Sequence, residues 1–213
     1  FTTNTQLKNA VNQWVNDINT AIINNGPINR WDVTAVIDMS GIFQGKTTFN
    51  SNISNWDVSA VTNMTSMFEN ASSFNRDISN WDTSKVKSME SMFKDTSFNQ
   101  NINTYNNKWN VSEVTNMASM FENASSFNQD ITLWDVSAVT NMASMFENAS
   151  SFNQPISGWV TSNVKTMAAM FKETSFNQDI TLWDVLAVTN MASMFENATS
   201  FDQPISEWVT TNV

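Results

Sequence analysis

The chain of 213 residues contains no cysteine and no histidine. Without cysteine there are no disulfides, no iron–sulfur clusters and no thiolate chemistry, although a cysteine-free chain suits any redox compartment. Without histidine it lacks the commonest metal ligand and the commonest general base. Its four glycines form no phosphate-cradling loop. Cations are scarce: ten basic residues stand against twenty acidic ones, a net charge of −10. A field of that sign repels phosphate backbones and anionic lipid, so nucleic acid and bare membrane surfaces are poor partners. No apolar run approaches the ~18 residues that a membrane-spanning helix needs, and the first residues do not read as a secretory leader.

What is present is a repeat. Beyond Gly26, tryptophans fall at positions 31, 56, 81, 109, 134, 159, 183 and 208, spaced 25, 25, 28, 25, 25, 24 and 25. The exceptions have simple origins. Phe93 to Phe98 and Phe171 to Phe176 are each one residue shorter than Phe68 to Phe74, and Ile102 to Trp109 is four longer than Ile78 to Trp81. A fixed period of this size means a solenoid or an array. All 13 methionines occupy two slots of the unit, represented by Met142 and Met145. Fourteen of the 15 phenylalanines occupy two more, represented by Phe146 and Phe152. Such registration implies that each side chain stacks on its own copies in a Met/Phe/Trp core.

Residues 1–25 lie outside the repeat. Leu7, Val11, Trp14, Val15, Ile18 and Ile22 share one helical face, Thr5 is an N-cap candidate, and Asn24-Asn25-Gly26-Pro27 is a stop signal. This predicts a capping helix over 1–25 ahead of a repeat domain over 26–213, with eight Trp-bearing coils, the last incomplete. Phe1 at the first position and the break after Val213, just before the next expected Thr-x-Met, read as a piece of a longer array or as an end that meets another chain. Within each unit, Ile-x-x-Trp-x-Val-x-x-Val has the spacing of a short strand, with Trp134 and Val136 inward and Asp135 outward. Met142, Met145, Phe146 and Ala149, at i, i+3, i+4 and i+7, predict about two helical turns closed by Asn148. The expected fold class is therefore α/β: a right-handed solenoid with one short strand and one short helix per ~25-residue coil.

The strand segment resembles the leucine-rich-repeat scaffold, with Trp in place of its usual Leu. More closely, Phe-Asn-Gln-Asp-Ile-x-x-Trp-Asp-Val-Ser-x-Val-Thr-Asn-Met-x-x-Met-Phe resembles the bacterial surface-protein repeat also called the mycoplasma-type lipoprotein repeat. The resemblance covers residues 26–213; it departs from the pattern at Asn110, Val160 and Val209, where the Asp after Trp is replaced. It implies a leucine-rich-repeat-like fold on a cell-surface or secreted protein, and it transfers no catalytic residue or cofactor.

Several residue sets are candidates for chemistry. Asp32, Asp57, Asp82, Asp135 and Asp184 form an outward row. Neighbouring strands lie ~4.8 Å apart, so such carboxylates either share a Ca²⁺ or each accept local N–H bonds at a turn. A second series, Asp77, Asp130 and Asp179, is replaced by Pro155 and Pro204, which fits a turn. Serines are plentiful but lack a His or Cys partner, so the chain reads as a non-enzyme. The four-residue insertion before Trp109 contains the only tyrosine, Tyr105, and insertions in repeat proteins loop out on one face. Asn70, Asn123, Asn148 and Asn197 fit the glycosylation pattern at one repeat position, where a helix end also explains them.

Variation between units points to a surface. The residue before Trp runs Arg30, Asn55, Asn80, Lys108, Leu133, Gly158, Leu182, Glu207, and Leu186 replaces a usual Ser or Thr. The face becomes more apolar along the chain. Leu133, Val160, Leu182, Leu186 and Val209 there mark a contact site for a protein or for the apolar face of a sugar, or drift among repeats. The expected function is a surface-exposed recognition or adhesion module, extracellular or at the cell surface, binding a protein or glycan through this face. The alternative is a structural subunit that self-associates end to end.

Overall fold

The structure is a computed structural model and describes residues 1–104 and 108–213. Two helices open the chain, α1 (Asn4–Asn16) and α2 (Ile18–Asn25). Thr3, not Thr5, caps α1: its extended backbone lets its hydroxyl accept the N–H of Gln6. Asp17 ends one helix and starts the next, donating its N–H to Gln13 and accepting from Thr20 N at 3.1 Å. The single helix expected over this stretch is thus broken. Leu7, Ala10 and Val11 are buried, Trp14 and Val15 pack at the margin, but Ile18 and Ile22 beyond the break face solvent. Gly26, at φ +73°, closes α2 in the left-handed conformation open to glycine.

The helices cover the first coil. Trp14 sets its edge on Trp31 at 5.9 Å. The Nδ2 of Asn4 donates to the carbonyls of Asp38 (3.3 Å) and Ser40 (2.9 Å). In the next coil the equivalent carbonyls, Asn63 and Thr65, accept N–H groups from the coil before. Asn4 therefore supplies, from α1, donors of the kind that one coil gives the next further along the stack.

The repeats do stack, but not as an α/β solenoid. Among the described residues there is no β-strand, only a run of isolated parallel bridges such as Asn116 to Asn141 to Thr166, and no helix beyond residue 25 except a single 3-10 turn at Ile28–Arg30. The predicted strand is two β-turns: Trp134 N donates to Ile131 O, and Val139 N to Val136 O, at 3.1 and 2.9 Å. The alternation read as strand pleating is the in-and-out pattern of successive corners.

The predicted helix is also a succession of turns. Met145, Glu147 and Ala149 donate to the residue three back, while the alternate N–H groups of Met142, Ser144, Phe146 and Asn148 donate to the next coil. An α-helix would send all of these along its own axis. Ser144 and Asn148 sit at φ +54° and +58°, as do their counterparts from the Trp56 coil onward, and Gly41 and Gly45 take the two positions in the first coil. A left-handed residue every fourth position is incompatible with a right-handed helix. The spacing i, i+3, i+4, i+7 had correctly marked the inward side chains, and both conformations share it.

The expected core is present. Phe121, Phe146 and Phe171 stack at 5.7 and 5.9 Å, and Phe146 lies 3.9 Å from Phe152 of its own coil. Trp134, Trp159 and Trp183 stack at 6.5 and 6.2 Å, each indole N–H donating to an isoleucine carbonyl of the preceding coil. The shortened coils place a buried threonine, Thr96 or Thr174, where the Trp56 coil has Ala71. Its hydroxyl donates to Phe93 O or Phe171 O and accepts the N–H of Phe98 or Phe176 at 3.4 Å, in place of the alanine carbonyl that accepts Phe74 N. On the outside an asparagine ladder ties coil to coil: the Oδ1 atoms of Asn99, Asn128 and Asn153 accept the N–H of Asn128, Asn153 and Asn177 at 2.9–3.0 Å.

Candidate functional site

Every coil exposes the residue before its tryptophan and at least partly exposes the one after it, because the indole anchors inward and turns its neighbours out. This is the face whose variation singled out a contact site. Leu133, Val160, Leu182, Leu186 and Val209 are all exposed, from 51% for Leu186 to 80% for Leu182. The stacked indoles set their register: Leu133, Gly158 and Leu182 precede Trp134, Trp159 and Trp183 in adjacent coils. A Cβ at Gly158 would meet nothing within 4 Å, so packing does not demand glycine there. Tyr105 lies outside the described residues.

The aspartate row has a local job. The Oδ1 of Asp32, Asp57, Asp82, Asp135 and Asp184 accepts the N–H of the residue two further on at 3.0–3.1 Å, and Asn110 does the same for Ser112. These are Asx-turns. The hydroxyls and backbone N–H groups of Thr34, Ser59 and Ser137 hold the carboxyls of Asp32, Asp57 and Asp135 below the usual aspartate range. Asp77, Asp130 and Asp179 form a second file of such turns, on Ser79, Thr132 and Thr181. Among the described residues no three acidic side chains converge as a metal site. The glycosylation-pattern asparagines sit at left-handed turn positions rather than helix ends, and Asn123 is engaged with Asp95 at 2.8 Å.

The sequence reading passed over the polar half of this face. Two clefts meet there at Lys108. One, of about 440 Å³, is lined by Asn55, Asp57, Asn80, Asp82 and Lys108 among others. The other, of about 410 Å³, runs from Lys108 past Asn110 and Ser112 to Asp135 and Leu133. Asn55, Asn80 and Lys108 were visible as variable positions, but polar variation on a surface carries no signal of concavity. Beside the second cleft, Trp109 is buried with its indole N–H unpartnered among the described residues. In the Trp56, Trp81, Trp134, Trp159, Trp183 and Trp208 coils that N–H reaches an isoleucine carbonyl of the coil before, and the Trp109 coil differs from these in sequence by the insertion that precedes it.

No helix among the described residues is long and apolar enough to cross a membrane. No curated protein and no solved structure matches the chain. A family model does, over residues 1–108, 107–175 and 131–213, which together span the sequence. Its three overlapping matches follow the same repeat that carries the stacked indoles, and the mycoplasma-type resemblance of those units stands. The chain belongs to DUF285, a family of Mycoplasma proteins of unknown function.

Proposed function

We propose that the protein is a non-enzymatic recognition scaffold at the cell surface or outside the cell, binding a protein or glycan through its Trp-bearing face. The observation that carries this reading is the exposure of Leu133, Val160, Leu182, Leu186 and Val209 on neighbouring coils of one face. Aliphatic side chains gathered on one face lose water on contact, and they mark interaction sites. The backbone of the same coils is occupied by turns and inter-coil bonds, so side chains alone are left to set specificity.

The test is a glycan and protein array probed with wild type and Leu182→Asp. A charge at the most exposed leucine lowers partner binding by about tenfold or more if the patch is the contact. Unaltered binding removes the patch from the reading.

End-to-end association is the second reading, favoured by one observation. In the last coils Met191, Phe195, Ile205 and Trp208 are only partly buried and line a hollow of about 320 Å³. Rods that lengthen with concentration in light scattering support it, and a monomer at all concentrations ends it.

A further inference from the structure

We propose that the two clefts meeting at Lys108 form one binding groove for a neutral oligosaccharide chain. This rests on the recognition reading and names the ligand class for a region of the face that adjoins the leucine patch and shares only Leu133 with it.

The first argument is the set of polar groups left over. Asn55, Asn80 and Lys108 make no hydrogen bond or ion pair with the described residues, although they line the groove. Asp57, Asp82 and Asp135 accept their turn N–H through Oδ1, and a carboxylate with four lone-pair sites keeps acceptor capacity beyond that. Amide and ammonium donors therefore stand beside carboxylate acceptors. A sugar hydroxyl both donates and accepts, so vicinal hydroxyls match such pairs.

The second argument is spacing. The donor and acceptor groups recur once per coil, and the parallel bridges Asn63 to Ser88, Ser88 to Asn116 and Asn116 to Asn141 hold these coils at about the 4.8 Å that separates neighbouring strands. That pitch is close to the length of one pyranose unit in an extended chain, so consecutive sugars meet equivalent groups.

The third argument is charge. Three carboxylates flank a single cation, on a chain of net charge −10. A uronate-bearing or sulfated polymer is repelled here, and a neutral one is not. At the far end of the groove Leu133, 62% exposed, offers an apolar surface to the C–H face of a sugar ring. Most of the described side chains lining the two clefts are polar, which suits a hydroxyl-rich ligand better than an apolar peptide anchor.

The experiment prints neutral, uronate-bearing and sulfated oligosaccharides on an array probed with the full chain, then titrates the neutral binders by calorimetry. The expected result is binding of neutral chains only, weakened about tenfold by Asn80→Ala and by Lys108→Ala, each of which removes a donor. The circular-dichroism melts of both exposed-site variants should match wild type, and Ile23→Ser, at an 81% exposed position in α2, should bind as wild type does. Binding of acidic chains only, or binding that both groove variants leave intact, overturns the groove. If glycan binding falls with Leu182→Asp alone, or if a protein binds through the leucine patch and no glycan binds, the groove fails while the recognition reading stands.

Discussion

Ala169 discriminates between a helix and a succession of turns. It occupies the first left-handed position of its coil at φ +54°, where the first coil carries Gly41 at +59°. A non-glycine residue there costs about 1–2 kcal/mol. Glycine removes that strain but gives back about 0.5–1 kcal/mol through its freer unfolded chain. The side chain is only half-buried and the 2.9 Å bond from Ala169 N to Ala192 O does not need it, so little else is lost. Ala169→Gly should therefore stabilise by about 0.5–1 kcal/mol, a rise of roughly 1–4 °C in melting temperature for a chain of this size. In a helix the same change destabilises by about 1 kcal/mol. The neighbour Ala168, which is not left-handed, is the control: Ala168→Gly should lose about 0.5–1 kcal/mol. Urea titration of both variants reads the sign. If Ala169→Gly is less stable than wild type, the chain of turns is wrong.

Three further outcomes follow from the stack. Asn128→Ala deletes the acceptor used by Asn153 N and Gln154 Nε2, both at 3.0 Å; it should cost about 1 kcal/mol in urea, while Asn128→Asp, which keeps the oxygen, should cost less. Trp134→Phe strands the Ile102 carbonyl that its indole reaches at 3.0 Å, whereas Trp109→Phe removes an N–H that has no acceptor among the described residues. The first should be about 1 kcal/mol the more destabilising, and equal losses would refute the indole-to-carbonyl file. Asp17, Asp32, Asp57, Asp130, Asp135 and Asp179 are all held below the ordinary aspartate value, chiefly by hydroxyls and then by backbone N–H groups. A depressed folded value means that the stabilisation is complete above about pH 4 and is lost as pH falls through the folded values. Melting temperature should hold from pH 7 to about 5 and drop below 4. Asp135→Asn, which keeps the turn acceptor as Asn110 does, should flatten that drop.

Much of the site was legible in the residues. Leu133, Val160, Leu182, Leu186 and Val209 were identifiable as outward because each lies one or three residues from an inward-facing tryptophan of the repeat. The clefts at Lys108 were not legible, because concavity comes from how neighbouring coils sit. Ile18 and Ile22 were misread as inward because the pattern assumed one helix and Asp17 makes two. The asparagine ladder was missed because its bonds join residues about 25 apart, beyond any local pattern.

Period, core membership and family were determined by the sequence alone, because a side chain that recurs in one slot must meet its copies when the units stack. Backbone conformation was decided by the tertiary structure. The apolar spacing around Met142 and Phe146 is satisfied equally by a helix and by alternating turns, and Ser144 carries no local mark of a left-handed residue. What selects the turns is the row of carbonyls on the next coil, from Thr166 to Lys172, which takes every second N–H and so leaves no helix to form.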